Sequence, residues 1–138
     1  MSELHPQLQH DCESLGRFEL CELLLMRDAR YPWCILVPDR AGITEIYQLA
    51  PADQHQLMRE SSQLAGTMAR LFAADKMNVA ALGNVVPQLH IHHIARRRSD
   101  PAWPAPVWGR LPALPYTEAA LRDTCERLRR ALDGLRRD

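Results

Sequence analysis

Three of the chain's six histidines, His90, His92 and His93, lie within four residues of one another. An unperturbed imidazole has a pKa of about 6.5, so at neutral pH much of it is neutral and can act as a nucleophile or bind a metal. In an extended strand alternate side chains share a face, which places Gln88, His90 and His92 together. Two adjacent imidazoles without partners are costly to bury. We therefore expect this face to open to a cleft, with the other face packed on a helix.

Hydrophobic patterning predicts the elements that hold this strand. Apolar residues at three- and four-residue steps indicate helices, and short apolar or alternating runs indicate strands. Two early strands, separated by a turn-like loop of six residues, should form an antiparallel hairpin. The predicted helices cover residues 6–15, 51–75 and 117–135, and the predicted strands cover residues 17–26, 33–37, 78–82 and 88–95. This order indicates an α+β domain with a mostly antiparallel sheet, a long central helix and a C-terminal helix.

Length and composition restrict the class of protein. The 138 residues suit one domain, and 46% hydrophobic with 25% charged residues is typical of a soluble globular protein. No apolar run approaches the roughly 20 residues that span a bilayer, and the N-terminus has no signal pattern. The net charge of zero argues against a nucleic acid or membrane partner. The four cysteines form no CxxC pair, which predicts buried, reduced thiols in a cytoplasmic protein.

Residues 87–94, Pro-Gln-Leu-His-Ile-His-His-Ile, resemble the signature of the histidine triad (HIT) family, in which histidines alternate with apolar residues. The element order is also similar: a hairpin, a helix, then two strands with the signature on the last. The form Gln-Leu-His-x-His-x-Ile-Ala-Arg at residues 88–96, with the tryptophan segment at residues 102–109, resembles a bacterial subgroup with Gln88 in place of the first triad histidine. The resemblance implies one HIT-like domain over residues 1–138, with a core of about 17–109 and a proline/tryptophan segment and helix at 110–138.

The resemblance also implies a nucleotide-binding hydrolase or nucleotidyl transferase. His90 matches the histidine that attacks the nucleotide α-phosphate and forms a nucleotidyl-histidine intermediate. His92 would orient or polarise the site, and Gln88 would stand at the first triad position. The residues expected to bind phosphate and ribose are Gly83, Asn84 and Asp28. The implied ligand is a purine nucleotide or nucleotide conjugate, and the implied assembly is a homodimer.

Two departures from the family pattern support an alternative, a nucleotide-binding protein with little or no catalysis. Gln88 has a neutral amide that hydrogen-bonds but carries no proton charge. Val85 stands where many family hydrolases have a hydroxyl that would protonate an amine leaving group. A third interpretation, from a different class, is a zinc or copper site on His90 and His92. No third ligand stands at a recognisable spacing, so we expect no metal and no cofactor.

Two further segments allow two interpretations each. The signature strand is directly followed by three arginines, Arg96, Arg97 and Arg98. They would either contact phosphate groups or form a solvated strand end. Residues 99–116 contain five prolines and two tryptophans, so they fit neither a regular helix nor a central strand. The tryptophans of this segment would either stack on a base or anchor the segment to the body of the protein.

Overall fold

The computed structural model describes residues 2–137 and contains a five-stranded antiparallel sheet flanked by helices. The strands are β1 (Cys12–Arg17), β2 (Cys21–Met26), β3 (Trp33–Pro38), β4 (Lys76–Ala80) and β5 (Ile91–Arg96). The helices are α1 (Pro6–Asp11), α2 (Pro51–Leu71) and α3 (Glu118–Ala131), with a 3-10 turn at Ile46–Gln48. The strand order is β1-β2-β3-β5-β4, and every neighbouring pair is antiparallel. This confirms the predicted α+β fold with its hairpin and its central and C-terminal helices.

The N-terminal region differs from the prediction of a helix over residues 6–15. The helix ends at Asp11, and Cys12–Arg17 forms a strand that pairs with β2. The predicted first strand, residues 17–26, is accordingly split by a turn before Cys21. A short helix has little stability of its own, whereas the strand forms backbone hydrogen bonds with β2 along its inner side. Of the apolar residues that suggested a helix face, Leu8 is buried in α1, whereas Cys12 and Leu15 are buried in β1.

Gly16 allows the C-terminal tail to close on β1. Its φ is +144°, and a Cβ there would lie 2.3 Å from the carbonyl oxygen of Arg136. The neighbouring Arg17 donates its N–H to that oxygen at 2.7 Å, and the N–H of Arg136 returns a bond at 2.9 Å. The tail therefore adds a short antiparallel bridge to the edge of the sheet.

The sheet separates two apolar clusters. The larger one packs β2, β3 and β5 against α2 and α3, with Leu64, Met68 and Leu128 fully buried. The smaller cluster lies on the other face of the sheet, beneath α1 and residues 99–116, here called the proline-rich segment. It includes Trp33 and Ile94. Ile91 points to the helices and Ile94 points away, as the predicted alternation requires. The signature strand begins at Ile91, later than the predicted residue 88, so residues 88–90 approach the sheet as a loop.

Two predictions from composition can be compared with the described residues. Cys12, Cys21, Cys34 and Cys125 are all buried and free, as predicted. Burial raises the pKa of the Cys12 thiol to about 12, which keeps it protonated. Over residues 2–137, no helix combines the length and apolarity needed to cross a membrane.

Candidate active site

His90 is held in one tautomer by the backbone just before it. Its Nδ1 lies 2.7 Å from the carbonyl oxygen of Gln88. A carbonyl oxygen only accepts hydrogen bonds, so Nδ1 carries the proton and Nε2 carries the lone pair. The His90 ring is 6% exposed and lines a cavity of about 430 Å³. This arrangement presents Nε2 of His90 as a nucleophile.

His92 is held in the opposite tautomer. The indole N–H of Trp33 donates to Nδ1 of His92 at 3.0 Å, so that nitrogen has no proton. Burial, with added repulsion from the neighbouring His90 and His93, lowers the pKa of His92 to about 3. The ring is therefore neutral at pH 7 and carries its proton on Nε2. The His90 and His92 rings lie edge to face with centroids 4.9 Å apart. One ring offers a lone pair and the other a hydrogen-bond donor.

The walls of this histidine cavity come from four parts of the chain. One wall is α1, another is the end of β2 with the start of β3, a third is the loop before the signature strand, and the fourth is the proline-rich segment. The lining residues other than the two histidines are Gln7, Leu8, Asp11, Met26, Trp33, Leu82, Gly83, Asn84, Val85, Val86 and Trp108. Gly83 has a φ of +74°, which glycine adopts without strain. Gly83, Asn84, His90 and His92 thus lie around one cavity.

Asp28 lies in a second cavity that adjoins the first. This open cavity has a volume of about 510 Å³ and is bordered on one side by residues of the segment 107–121. The residues that line both cavities are Asp11, Met26, Trp33 and Trp108. Oδ1 of Asp28 accepts the backbone N–H of Arg30 at 3.0 Å and that of Leu114 at 3.2 Å. Asp28 thereby joins the loop after β2 to the C-terminal segment and is separated from the histidines by the shared wall.

Gln88 contributes its backbone, and not its side chain, to the histidine pair. Its Oε1 accepts the backbone N–H of His5 at 2.8 Å, and its Nε2 donates to the carbonyl of Glu3 at 3.1 Å. The Gln88 side chain is not part of the cavity that His90 and His92 line. The Gln88 side chain is therefore bonded to the N-terminal segment.

Sequence reasoning misses the part that Trp33 plays, since the apolar pattern only places this residue at the start of the predicted strand 33–37. In the β3–β5 ladder Trp33 is opposite Ile94, which makes it a diagonal neighbour of His92 on the same face. Trp108 completes this cluster, with its ring 5.1 Å from that of His92 and 5.8 Å from that of Trp33. The signal lies in the strand register, which a sequence without a known sheet order does not reveal.

His93 faces the helices and is fully buried. Its Nδ1 lies 3.0 Å from the carbonyl of Ile91, and its Nε2 lies 2.7 Å from Oγ of Ser61 in α2. The carbonyl accepts, so Nδ1 is the donor and the serine hydroxyl donates to Nε2. Burial lowers the pKa of His93 to about 4, so the ring is neutral at pH 7. His93 is a satisfied core residue between the strand and α2.

Arg96 is neither a solvated strand end nor a phosphate contact, so both interpretations are wrong for it. It is 1% exposed, and its Nε donates to Asp100 at 2.8 Å. The two terminal nitrogens donate to Asn78 at 2.9 Å and to the carbonyl of Ala105 at 2.8 Å. The guanidinium also lies 5.6 Å from the ring centre of Trp103. Arg96 and Trp103 thus anchor the proline-rich segment that carries Trp108 to the cavity.

Within residues 2–137, no three side chains of His, Cys, Asp or Glu come together in a way that could hold a metal ion. His90 and His92 form a pair without a third such ligand in that part of the chain.

Comparison with known proteins agrees with the fold and the histidine strand. The HIT domain family matches residues 7–99. The crystal structure of a histidine triad protein from Marinobacter aquaeolei VT8 is 51% identical, with a TM-score of 0.95 and 99% of each chain covered. Histidine triad proteins from Sinorhizobium meliloti 1021 and Bradyrhizobium japonicum are 44% and 42% identical, with TM-scores of 0.92 and 0.93. These two comparisons cover 94% of this chain, and 96% and 97% of the respective relatives. A sequence search of the curated proteins gives no significant match.

The five-stranded antiparallel sheet carries His92 on β5 and His90 directly before it, and both histidines line one cavity, as expected for a histidine triad domain. The chain therefore belongs to the HIT family.

Proposed function

We propose that this protein binds a nucleotide and transfers its nucleotidyl group to Nε2 of His90, as a hydrolase or a transferase. The observation that carries the proposal is the 2.7 Å hydrogen bond from Nδ1 of His90 to the Gln88 carbonyl, which leaves the Nε2 lone pair available in a cavity of about 430 Å³. Cavities of this size suit small ligands. HIT proteins are generally nucleotide-binding hydrolases or transferases, which makes a nucleotide the first ligand to test.

The reaction has two displacements at the α-phosphorus. In the first, Nε2 of His90 forms a bond to phosphorus while the bond to the leaving group breaks and its electron pair departs with that group. The imidazole becomes cationic, and the Gln88 carbonyl, which accepts its Nδ1–H, stabilises that charge. In the second, water or another acceptor attacks the same phosphorus, the N–P pair returns to Nε2, and the acceptor's proton passes to solvent. Two easier steps replace one difficult displacement.

The other site residues would bind and orient the ligand. The Nε2–H of His92 and the side-chain amide of Asn84 are the donors proposed for the phosphate oxygens, together with the backbone at Gly83. The adjoining cavity, of about 510 Å³, is where we propose that the nucleoside of a purine nucleotide or conjugate lies. Oδ1 of Asp28 already accepts two backbone N–H groups, so a ribose hydroxyl would donate to Oδ2.

Two observations favour the alternative of a nucleotide-binding protein with little catalysis. The Gln88 side chain is bonded to the N-terminal segment and is absent from the wall around the histidines. Val85, which offers no hydroxyl, is 86% exposed at the cavity. In this alternative the cavity binds AMP or GMP reversibly, and replacing His90 leaves the turnover rate unchanged.

The deciding experiment measures nucleotide release from an adenosine phosphoramidate, a dinucleoside polyphosphate and a nucleotide sugar. Wild type is compared with His90→Ala, and with His55→Ala as a control at an exposed histidine of α2. We expect His90→Ala to lower turnover by about a thousandfold or more while AMP still binds. Full activity in His90→Ala would refute the assignment of His90 as the nucleophile. AMP binding without turnover in wild type would establish the alternative of a nucleotide-binding protein.

We also propose that the protein belongs to the subgroup with Gln88 at the first triad position, that residues 1–138 form one domain, and that the protein acts in the cytoplasm as a homodimer. In the sheet of residues 2–137, β4 is an edge strand, and its Val79 is 50% exposed. An unpaired edge with an exposed apolar side chain is a surface on which a second copy can pack. Light scattering coupled to size exclusion tests the dimer.

A further inference from the structure

The segment that precedes α1, here called the N-terminal arm (residues 2–5), is held to the body of the protein at two points. At its outer end, the backbone N–H and the hydroxyl of Ser2 both donate to Oδ1 of Asp39, at 2.5 and 2.8 Å. At its inner end, the Gln88 side chain bonds the carbonyl of Glu3 and the N–H of His5. The inner attachment lies immediately before Pro6, where α1 begins.

The arm leads into a wall of the histidine cavity. Three residues of α1, Gln7, Leu8 and Asp11, line that cavity. The residue that fastens the start of this helix also supplies the carbonyl that orients His90, at 2.7 Å. The position of the wall and the orientation of the nucleophile are therefore connected through one residue.

We infer that Gln88 is a positioning residue for the proposed reaction: its side chain fixes the N-terminal arm, and with it the α1 wall of the histidine cavity. Its own carbonyl at the same time aims Nε2 of His90 into that cavity. The inference rests on the proposed function for the role of His90, and it assigns to the Gln88 side chain no contact with the reacting atoms.

The chemistry of the two bonds explains why an amide serves here. The carbonyl of Glu3 needs a donor and the N–H of His5 needs an acceptor, and a carboxamide offers both from one planar group. A carboxylate keeps only the acceptor, and alanine keeps neither. The amide also stays uncharged at every pH, so the attachment is independent of proton uptake at the site.

These differences define three variants. Gln88→Ala removes both bonds, Gln88→Glu keeps the acceptor for His5, and Asp39→Ala releases the outer end of the arm without changing residue 88. Each is measured for thermal stability, for amide exchange at His5, for AMP affinity by calorimetry, and for kcat and KM on whichever substrate wild type turns over.

In Gln88→Ala we expect exchange at His5 to accelerate at least about tenfold, because its N–H loses its acceptor. The AMP Kd and the KM should rise about tenfold, the effect of one or two hydrogen bonds, while kcat changes less than about threefold because the backbone carbonyl remains. Gln88→Glu should recover part of the affinity and the protection of His5. Asp39→Ala should stay within about twofold of wild type, because the inner attachment lies between Ser2 and α1.

Three results would overturn the inference. One is unchanged His5 exchange and AMP affinity in Gln88→Ala. Another is a kcat loss of about a hundredfold with unchanged affinity, which would place the side chain at the reacting atoms. The last is an equal loss of AMP affinity in Asp39→Ala, which would show that the effect comes from releasing the outer end of the arm and not from the Gln88 attachment. The His5 and AMP measurements need no turnover, so they test Gln88 even if His90→Ala shows the proposed chemistry to be wrong.

Discussion

Trp33 donates its indole N–H to Nδ1 of His92 at 3.0 Å, and this bond decides which nitrogen of His92 carries the proton. The adjacent His90 is fixed the other way by the Gln88 carbonyl. When both rings are neutral they therefore complement each other, with a nucleophilic nitrogen beside a donor. Neither tautomer depends on a charged group, so the pair is organised entirely by groups with a single hydrogen-bonding role.

Replacing Trp33 by phenylalanine should release His92 from its single tautomer. The ring loses its donor, and Nδ1 is left buried and unpaired, which should lower the free energy of unfolding by about 1–2 kcal/mol. We expect kcat/KM to fall about tenfold, and the ring ¹⁵N shifts of His92 to move toward a mixture of tautomers. Tyr47→Phe is the control, because Tyr47 is an aromatic residue that is 78% exposed and lines neither cavity. Unchanged ¹⁵N shifts in Trp33→Phe would show that something else fixes the ring.

The buried histidines should make the protein lose stability in mild acid. The pKa of His92 is lowered to about 3 and that of His93 to about 4, from an ordinary value of 6.5. Above pH 6.5 both rings are neutral in the folded and unfolded chains. Below it only the unfolded chain gains their protons, so the free energy of unfolding falls by about 1.4 kcal/mol per pH unit for each histidine, down to the folded pKa.

Urea unfolding between pH 7 and 4.5 measures this slope. His93→Gln removes one of the two titrating rings. Its free energy of unfolding should therefore fall about half as steeply with decreasing pH as that of wild type, even though its stability at pH 7 is lower. The carboxylates Asp39 and Asp100, whose pKa values are lowered, titrate below this range and do not interfere. An equal slope in wild type and His93→Gln would contradict the assignment of His93.

The sequence predicted the histidine face because strand alternation is a local property. In β5, alternation brings His92 to the cavity side and His93 to the helices, and His90, which directly precedes the strand, lines the same cavity as His92. The direction of the Gln88 side chain was not predictable, because its partners, Glu3 and His5, are more than 80 residues away in sequence. Alternation assigns a side chain to a face of the strand, but the bond that the side chain makes depends on which distant segment packs there.

A similar limit applies to the start of the chain and to the arginine triplet. Apolar spacing over residues 6–15 fits a helix, yet the strand that forms from Cys12 onward is selected by its partner β2. Charge normally predicts exposure, and Arg96 is buried because Asp100, Asn78 and the proline-rich segment satisfy its guanidinium. Both errors concern tertiary contacts that override a correct local tendency.

Replacing Arg96 by lysine should destabilise the proline-rich segment. Lysine keeps the charge but lacks the planar fork that bonds Asp100, Asn78 and a backbone carbonyl together. We expect the free energy of unfolding to fall by about 3 kcal/mol, because buried polar groups lose their partner. Tryptophan fluorescence should also change, since the segment carries Trp108 to the histidines. Arg98→Lys, at an exposed member of the same triplet, should stay within about 0.5 kcal/mol of wild type. Equal effects in the two variants would argue against the anchoring role.

Gly16 and Gly42 both have a backbone conformation that favours glycine, but only Gly16 is in close contact with another segment. Both have positive φ, but a Cβ at Gly16 would lie 2.3 Å from the Arg136 carbonyl oxygen, whereas a Cβ at Gly42 meets nothing within 4 Å. Gly42→Ala should therefore lower the free energy of unfolding by only about 1 kcal/mol, the cost of the left-handed backbone. Gly16→Ala should lower it by about 3 kcal/mol and detach the C-terminal tail, because the tail must move to admit the methyl group. Urea unfolding measures the first effect, and faster amide exchange at Arg17 and Arg136 reports the second. If Gly16→Ala costs no more than Gly42→Ala and both amides stay protected, the tail does not need a glycine at this position.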